Sequence, residues 1–351
     1  MIAQFPQMYP DELFYSVLAR YYVRSGHVTY RYCSDELFRN FRTPDIEYIT
    51  GLSDELKRIV DLPDVILNHT MFPMNARFIT AERRKNAWNS FLKGDSKYQN
   101  ALYRRRGKGN EKRFLRYCPC CVREDREQFG ETYWHRKHQI PGINVCPEHG
   151  CYLCDSSVEI SGKVSPDLVP AATEIAEKAE PDKCRSETEV TLARYCCDVL
   201  FSPMSIDAHL DPGRFFRHRI QGTPYTTIRG RNINTQKLQA DLREYYSGTS
   251  TFAFEELWQV QKIFSSYNNP VAICSLAFFL HIPASELMEM KTPNVLHHEE
   301  YDLQINQRMN KIVCSFNLPA FRIVGKAVFC IWNDFHIRFI TGGSQPFIIR
   351  S

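Results

Sequence analysis

Apolar positions in the first hundred residues recur at three- and four-residue steps. In "ELFYSVLARYYVRSG", Leu13 and Val17, and Phe14, Leu18 and Tyr21, share one side of a helix. Asp11 is placed to cap that helix and Gly26 to end it. Ser34 is expected to start a second helix over "DELFRNF", and Ser53 to cap a third over "DELKRIV". "PDVILNHTMFP" closes at Pro73, and Thr80 caps "AERRKNAWNSFLKG". Short helices with tight links predict a helical domain over 1–100. It is either a helix-turn-helix variant or a plain bundle with no nucleic-acid role.

The pattern changes after residue 100. "ALYRRRGKGNEKRFLR" carries Arg104, Arg105, Arg106, Lys108, Lys112, Arg113 and Arg116 against Glu111 alone, and reads as a basic loop entering a Cys-rich block. Loop and block together define a region over 101–160. Residues 161–210, with an Ala-, Glu-, Pro- and Ser-rich start, are expected to be a linker or helical insertion. A second basic stretch follows, with Arg214, Arg217, Arg219, Arg229 and Arg231 interleaved with Phe215, Phe216 and Tyr225. It opens a helical region over 211–300, in which "PVAICSLAFFLHIPASELMEM" has the outline of a helix-turn-helix. The tail, 301–351, is rich in Val, Ile and Phe and is broken at Pro319, Gly325 and Asn333-Asp334. It predicts two or three strands, with "WNDF" as a turn. The fold class expected is therefore α-rich and multidomain: an N-terminal helical domain, a central knuckle, and a C-terminal region with small β elements. The end at "QPFIIRS" fits either a complete protein or the front of a longer one.

Whole-chain charge adds little. The net charge of +4 does not announce a nucleic-acid partner, so only the two local basic stretches suggest one. The opening residues lack the basic-then-apolar form of a secretory signal. The most apolar run, Val271 to Ile282, is shorter than the roughly 20 residues of a membrane span. A cytosolic protein with no membrane partner is expected. Its thirteen cysteines, an odd number, favour metal binding over a complete disulfide framework.

The chemistry concentrates in "RYCPCCVREDREQFGETYWHRKHQIPGINVCPEHG". Cys118 and Cys121 form C-x2-C, and Cys146 and His149 form C-x2-H. Each pair is a tight turn with Pro after the first Cys. Three thiolates and one imidazole make the closed tetrahedral set of a structural Zn2+ site. Cys120 could replace Cys121, but the spacing of Cys121 mirrors the second pair. Cys151, Cys154, Cys184, Cys196 and Cys197 could build a second metal site. His135, Arg136, Lys137 and His138 could touch phosphate. Alternatively, Trp134 and Ile140 pack the interior while the charged residues face water.

This block resembles the TniQ/TnsD family of transposon target-selection proteins. The resemblance rests on Arg116-Tyr117-Cys118-Pro119, Cys121, Gly130-Glu131, Trp134, Arg136, His138-Gln139, Pro141-Gly142, Cys146-Pro147 and His149-Gly150. "FPQMYPDELFYSVLARYYVRSG" and "HTMFPMNARFITAERR" are similar to the family's opening segments, so the resemblance spans about residues 5–155. "CYLCDSSVEIS" departs from the second knuckle of many relatives. The resemblance implies a non-catalytic adaptor with a structural zinc. Such an adaptor binds double-stranded target DNA, or a CRISPR effector complex already on its target, and recruits an AAA+ transposition regulator. The two basic stretches would then contact phosphate, which positions without reading sequence. The 271–290 pair is the candidate for base reading in the major groove.

Two other classes compete. No P-loop, G-x-G-x-x-G, G-x-S-x-G or H-E-x-x-H stands in the chain, although scattered carboxylates could serve a metal-dependent nuclease. A protein-interaction scaffold that never meets DNA would leave the basic stretches as solvated surface.

Overall fold

The computed structural model describes residues 2, 4–39, 45–48, 50–95, 97–102, 113–160, 168–175, 179–226, 232–250, 254–265 and 269–290. It also describes four strands between 321 and 350. The chain divides into two units, Met1–Lys291 and Thr292–Ser351.

Among its described residues, the first unit is helical apart from one two-stranded ribbon. It opens with α1 (Phe14–Ser25), α2 (Tyr30–Leu37), α3 (Asp54–Ile59), α4 (Leu62–Asn68), α5 (Phe72–Ala76), α6 (Ala81–Lys93) and α7 (Tyr98–Leu102). Ser53 caps α3 and Thr80 caps α6 through their hydroxyls, and Gly26 ends α1 in the left-handed region at φ 71°, as expected. Two starts differ. Ser34 lies inside α2 rather than before it. Asp11 does not cap α1, whose N-cap is Leu13. Asp11 itself adopts φ 57°, and its carboxylate accepts from the Lys137 amide (3.2 Å) and Arg136 Nε (3.1 Å). An acid near a helix start has gone to a stronger cationic partner far along the chain.

β1 (Phe114–Tyr117) leads into α8 (Pro119–Phe129), a 3-10 turn (Lys137–Gln139) and β2 (Cys154–Glu159), which returns antiparallel to β1 with Tyr117 opposite Cys154. Next come α9 (Ala171–Glu174) and α10 (Glu187–Phe201), then α11 (Pro212–Arg219), α12 (Thr235–Tyr245), α13 (Leu257–Ile263), α14 (Pro270–Phe279) and α15 (Ala284–Glu289). No helix among the described residues is long and apolar enough to cross a membrane.

The segments expected as 1–100, 101–160, 161–210 and 211–300 share one core, and the division falls at 291/292 instead. α10 explains why 161–210 is not simply a linker. Leu192, Ala193, Cys196, Val199 and Leu200 are buried along it, and Tyr195 donates to the Ile282 carbonyl (3.0 Å). The helical period begins only after the Pro- and Ser-rich start, whose composition masked it. Arginines complete the joint. Arg84, fully buried, donates to the carbonyls of Ala76, Arg77 and Ile79, and also to those of Ile206 and Ala208. Arg77 donates to the carbonyls of Ser202 and Pro203.

The second unit is an antiparallel meander of β3 (Phe321–Val324), β4 (Ala327–Trp332), β5 (His336–Ile340) and β6 (Ile348–Arg350), paired in that order. Trp332 pairs with His336, while Asn333, Asp334 and Phe335 of the expected "WNDF" turn lie outside the described residues; among the described residues there are four strands rather than two or three.

Candidate metal centre

Cys118 is the N-cap of α8, with Pro119 in its first turn, and the helix carries Cys121 one turn on to the same side. The second pair sits on a tight turn. Cys146 donates its amide to the Cys151 carbonyl (2.8 Å), and Gly150 donates back to the Cys146 carbonyl (2.9 Å). Gly150 holds φ +61°, a left-handed conformation that glycine adopts without strain, while Val190, 3.5 Å from where a Cβ would stand, leaves ordinary contact room.

These two turns bring Cys118, Cys121, Cys146 and His149 together, with all four donor atoms within 4.8 Å of one another. Cys121 Sγ lies 3.7 Å from Cys146 Sγ. His149 Nδ1 lies 3.7, 3.3 and 3.6 Å from the sulfurs of Cys118, Cys121 and Cys146. A tetrahedron with metal–sulfur bonds of about 2.3 Å and a metal–nitrogen bond of about 2.05 Å has edges of about 3.8 Å (S···S) and 3.6 Å (S···N). The donors are therefore spaced to hold a metal ion. Residues 3–153 match the TniQ family. That stretch, less than half of the chain, is similar to the TniQ family. The chain is also similar to transposon Tn7 transposition protein TnsD of Escherichia coli, 31% identical over 163 residues. That alignment covers 42% of this chain and 31% of the length of TnsD.

Groups around the cluster tune it. His149 Nε2 lies 2.8 Å from Glu124 Oε1, which fixes the ring and turns Nδ1 toward the sulfurs. Burial opposes charge on this imidazole, but Glu124 and the Cys146 thiolate outweigh it and raise its pKa to about 9. Hydrogen bonds among the three thiols split them, pushing Cys121 up and pulling Cys146 down. Three sulfurs packed so closely must share protons unless a cation replaces them. Lys137 is only 7% exposed and pairs with Glu148 (2.7 Å), which places a cation beside the thiolates.

The loop between the turns is built from buried polar groups, so neither expectation for His135–His138 holds. His135, Arg136, Lys137 and His138 are all buried, and they neither line a phosphate-binding surface nor face water. His135 Nε2 bonds Asp125 (2.9 Å), with Asp11 3.8 Å from its other nitrogen. Burial opposes its charge, but the two carboxylates prevail and raise its pKa to about 9. Arg136 reaches Asp11 and the Leu67 carbonyl. His138 is held neutral by burial, and its Nε2 lies 3.5 Å from Cys121 Sγ. The Gln139 side chain exchanges two hydrogen bonds with the backbone of Arg116, in place of a missing strand. Trp134 is fully buried as expected, and its indole donates to the Val169 carbonyl.

The five other cysteines do not converge among the described residues. Cys151 approaches Cys118 and Cys120, and Cys154 lies on β2. Cys184 lies 3.4 Å from the Tyr152 hydroxyl, Cys196 sits beside Cys274, and Cys197 is buried elsewhere on α10. Helical geometry separates Cys196 and Cys197 by about 100° around their axis, so one ion cannot readily take both.

Of the expected DNA contacts, Arg104, Arg105, Arg106, Lys108, Lys112, Arg229 and Arg231 lie outside the described residues. Arg113 pairs with Glu47 (2.8 Å), and Arg219 pairs with Glu286. Arg217 donates to the Phe264 carbonyl, and Arg214 is exposed. α14 and α15 do form a helix-turn-helix outline. However, α14 is buried along most of its length, and α15 carries Glu286 and Glu289 with no Lys or Arg, an unfavourable charge for a DNA groove. Sequence reading missed a cleft of about 570 Å³ beside α6, lined by Arg83, Asn86, Asn89, Lys93 and Lys97 together with the acid Asp95. Its signal was a polar stripe at helical spacing opposite the buried Ala87 and Phe91.

Proposed function

We propose that this chain is a target-selection adaptor of DNA transposition. Its structural Zn2+ would be held by Cys118, Cys121, Cys146 and His149. The tetrahedral spacing of those donors, within a TniQ stretch, carries the reading. Three sulfurs with one imidazole suit zinc, and such a closed set keeps no position for a substrate. The ion fixes the 118–149 segment. The polar stripe of α6 and the exposed Arg214 supply contacts to double-stranded DNA, and the folded unit recruits an AAA+ transposition regulator. A CRISPR effector complex could deliver the same adaptor to its target.

The test is a DNA-binding titration against salt, paired with capture of an AAA+ transposition regulator. An adaptor on DNA loses affinity linearly in log–log form as salt rises, and Lys93→Ala/Lys97→Ala flattens that slope by up to about two phosphate contacts. A second reading, a scaffold that never meets DNA, is favoured by the internal pairing of Arg113 and Arg219. It predicts capture of the regulator with no salt-dependent DNA binding. Failure of both measurements rejects the adaptor.

A further inference from the structure

We propose that Cys118, Cys120 and Cys151 form a second site, for a soft thiophilic cation, that shares the Cys118 thiolate with the first. It rests on the reading of Cys118, Cys121, Cys146 and His149 as metal ligands. The three sulfurs lie within 4.8 Å of one another, and Cys120 Sγ stands 3.7 Å from Cys151 Sγ. That separation is the edge thiolates make around one ion, about 3.8 Å. The primary cluster uses neither Cys120 nor Cys151, yet the same two turns bring them face to face.

Each donor is held by backbone that is already fixed. Cys120 lies in the first turn of α8, two residues beyond Cys118. The Cys151 carbonyl accepts the Cys146 amide, and the Gly150 carbonyl accepts the Cys184 amide (2.9 Å). Cys118 and Cys151 are fully buried, whereas Cys120 is partly exposed and opens the site to solvent. The donor set is sulfur alone, which selects Zn2+, Cd2+ or Cu+ over Mg2+ or Ca2+.

Charge fits as well. Two divalent ions among the five thiolates and a neutral imidazole leave one net negative charge. Arg123 approaches Cys120 Sγ at 3.4 Å, and Lys137 lies beside Cys121. Lys183 Nζ is anchored nearby on the His149 carbonyl (2.7 Å). A disulfide between Cys120 and Cys151 would use two of these sulfurs and give the third no role.

The probe is Cd2+, exchanged into the full chain under reductant and counted by native mass spectrometry. Thiolate-to-metal absorption reports sulfur ligation. The wild type should hold two Cd2+, while Cys120→Ser and Cys151→Ser should each hold one and lose part of the absorption. Cys120 is partly exposed, so its variant keeps the fold if Cys151→Ser does not. One Cd2+ in the wild type, or two in Cys120→Ser, overturns the proposal and leaves the first site standing. No bound Cd2+ overturns both. Loss of two hydrogens through a Cys120–Cys151 disulfide under the same conditions also overturns it.

Discussion

The turn at 146–150 and the loop at 202–208 are both irregular backbone, yet they are fixed by opposite means. The first depends on sulfur and imidazole donors that repel or share protons until a cation joins them. The second is tied by Arg77 and Arg84, whose guanidinium groups bring their own charge and donate to seven carbonyls in all. On the zinc reading, the first fastening depends on the supply of metal. The other is complete when the chain folds.

Removing the ion should have the largest effect. Cys146→Ser, His149→Ala or a strong chelator should abolish stoichiometric zinc and open residues 116–151 to protease, at a cost on the order of 10 kcal/mol. Elemental analysis and limited proteolysis read this. If the 202–208 loop opens equally, the two fastenings are not independent.

Arg84→Met should cost about 3–5 kcal/mol, because five carbonyls lose a buried charged donor. Denaturant unfolding would show a lower midpoint with zinc content unchanged. Lost zinc would show instead that the arginine supports the metal turn.

A pH effect of up to about 3 kcal/mol should come from His135, whose pKa rises from 6.5 to about 9 in the folded protein. A raised folded pKa means the contribution is complete below about pH 6.5 and is lost as pH climbs through 9. Unfolding measured between pH 6 and 10 should show this decline, and His135→Gln should flatten it. Smallest, Glu124→Gln should weaken metal affinity about tenfold, near the lower end for such partners because Glu124 is 62% exposed. Competition with a chromophoric chelator measures it.

How much could be read beforehand depended on the kind of constraint. The convergence of Cys118, Cys121, Cys146 and His149 was legible because two short turns leave few alternatives for their side chains. The choice of Cys121 over Cys120 follows from the same helix that α8 now shows. His135–His138 were not legible, since a run of charge ordinarily faces water and only the distant Asp11 and Asp125 reverse that. The caps at Ser53 and Thr80 were local and readable. Asp11 failed as a cap because its partners stand more than a hundred residues away. α10 was hidden by the composition before it, and the α14–α15 outline was correct in shape while its surface charge argues against a DNA role.

The N-terminal residues also have a mechanical consequence. Glu131 accepts from Tyr9, Arg20 and Arg24, and Arg20 is clamped in turn by Glu12. Tyr133 donates to the Pro10 carbonyl, and Trp134 is bonded on both sides to the start of α1. The amino-terminal helix is thus tied to the loop between the cysteine turns through these side chains. A partner that tilts this helix would strain the loop that joins the two donor pairs, and loosening that loop would free the helix in return.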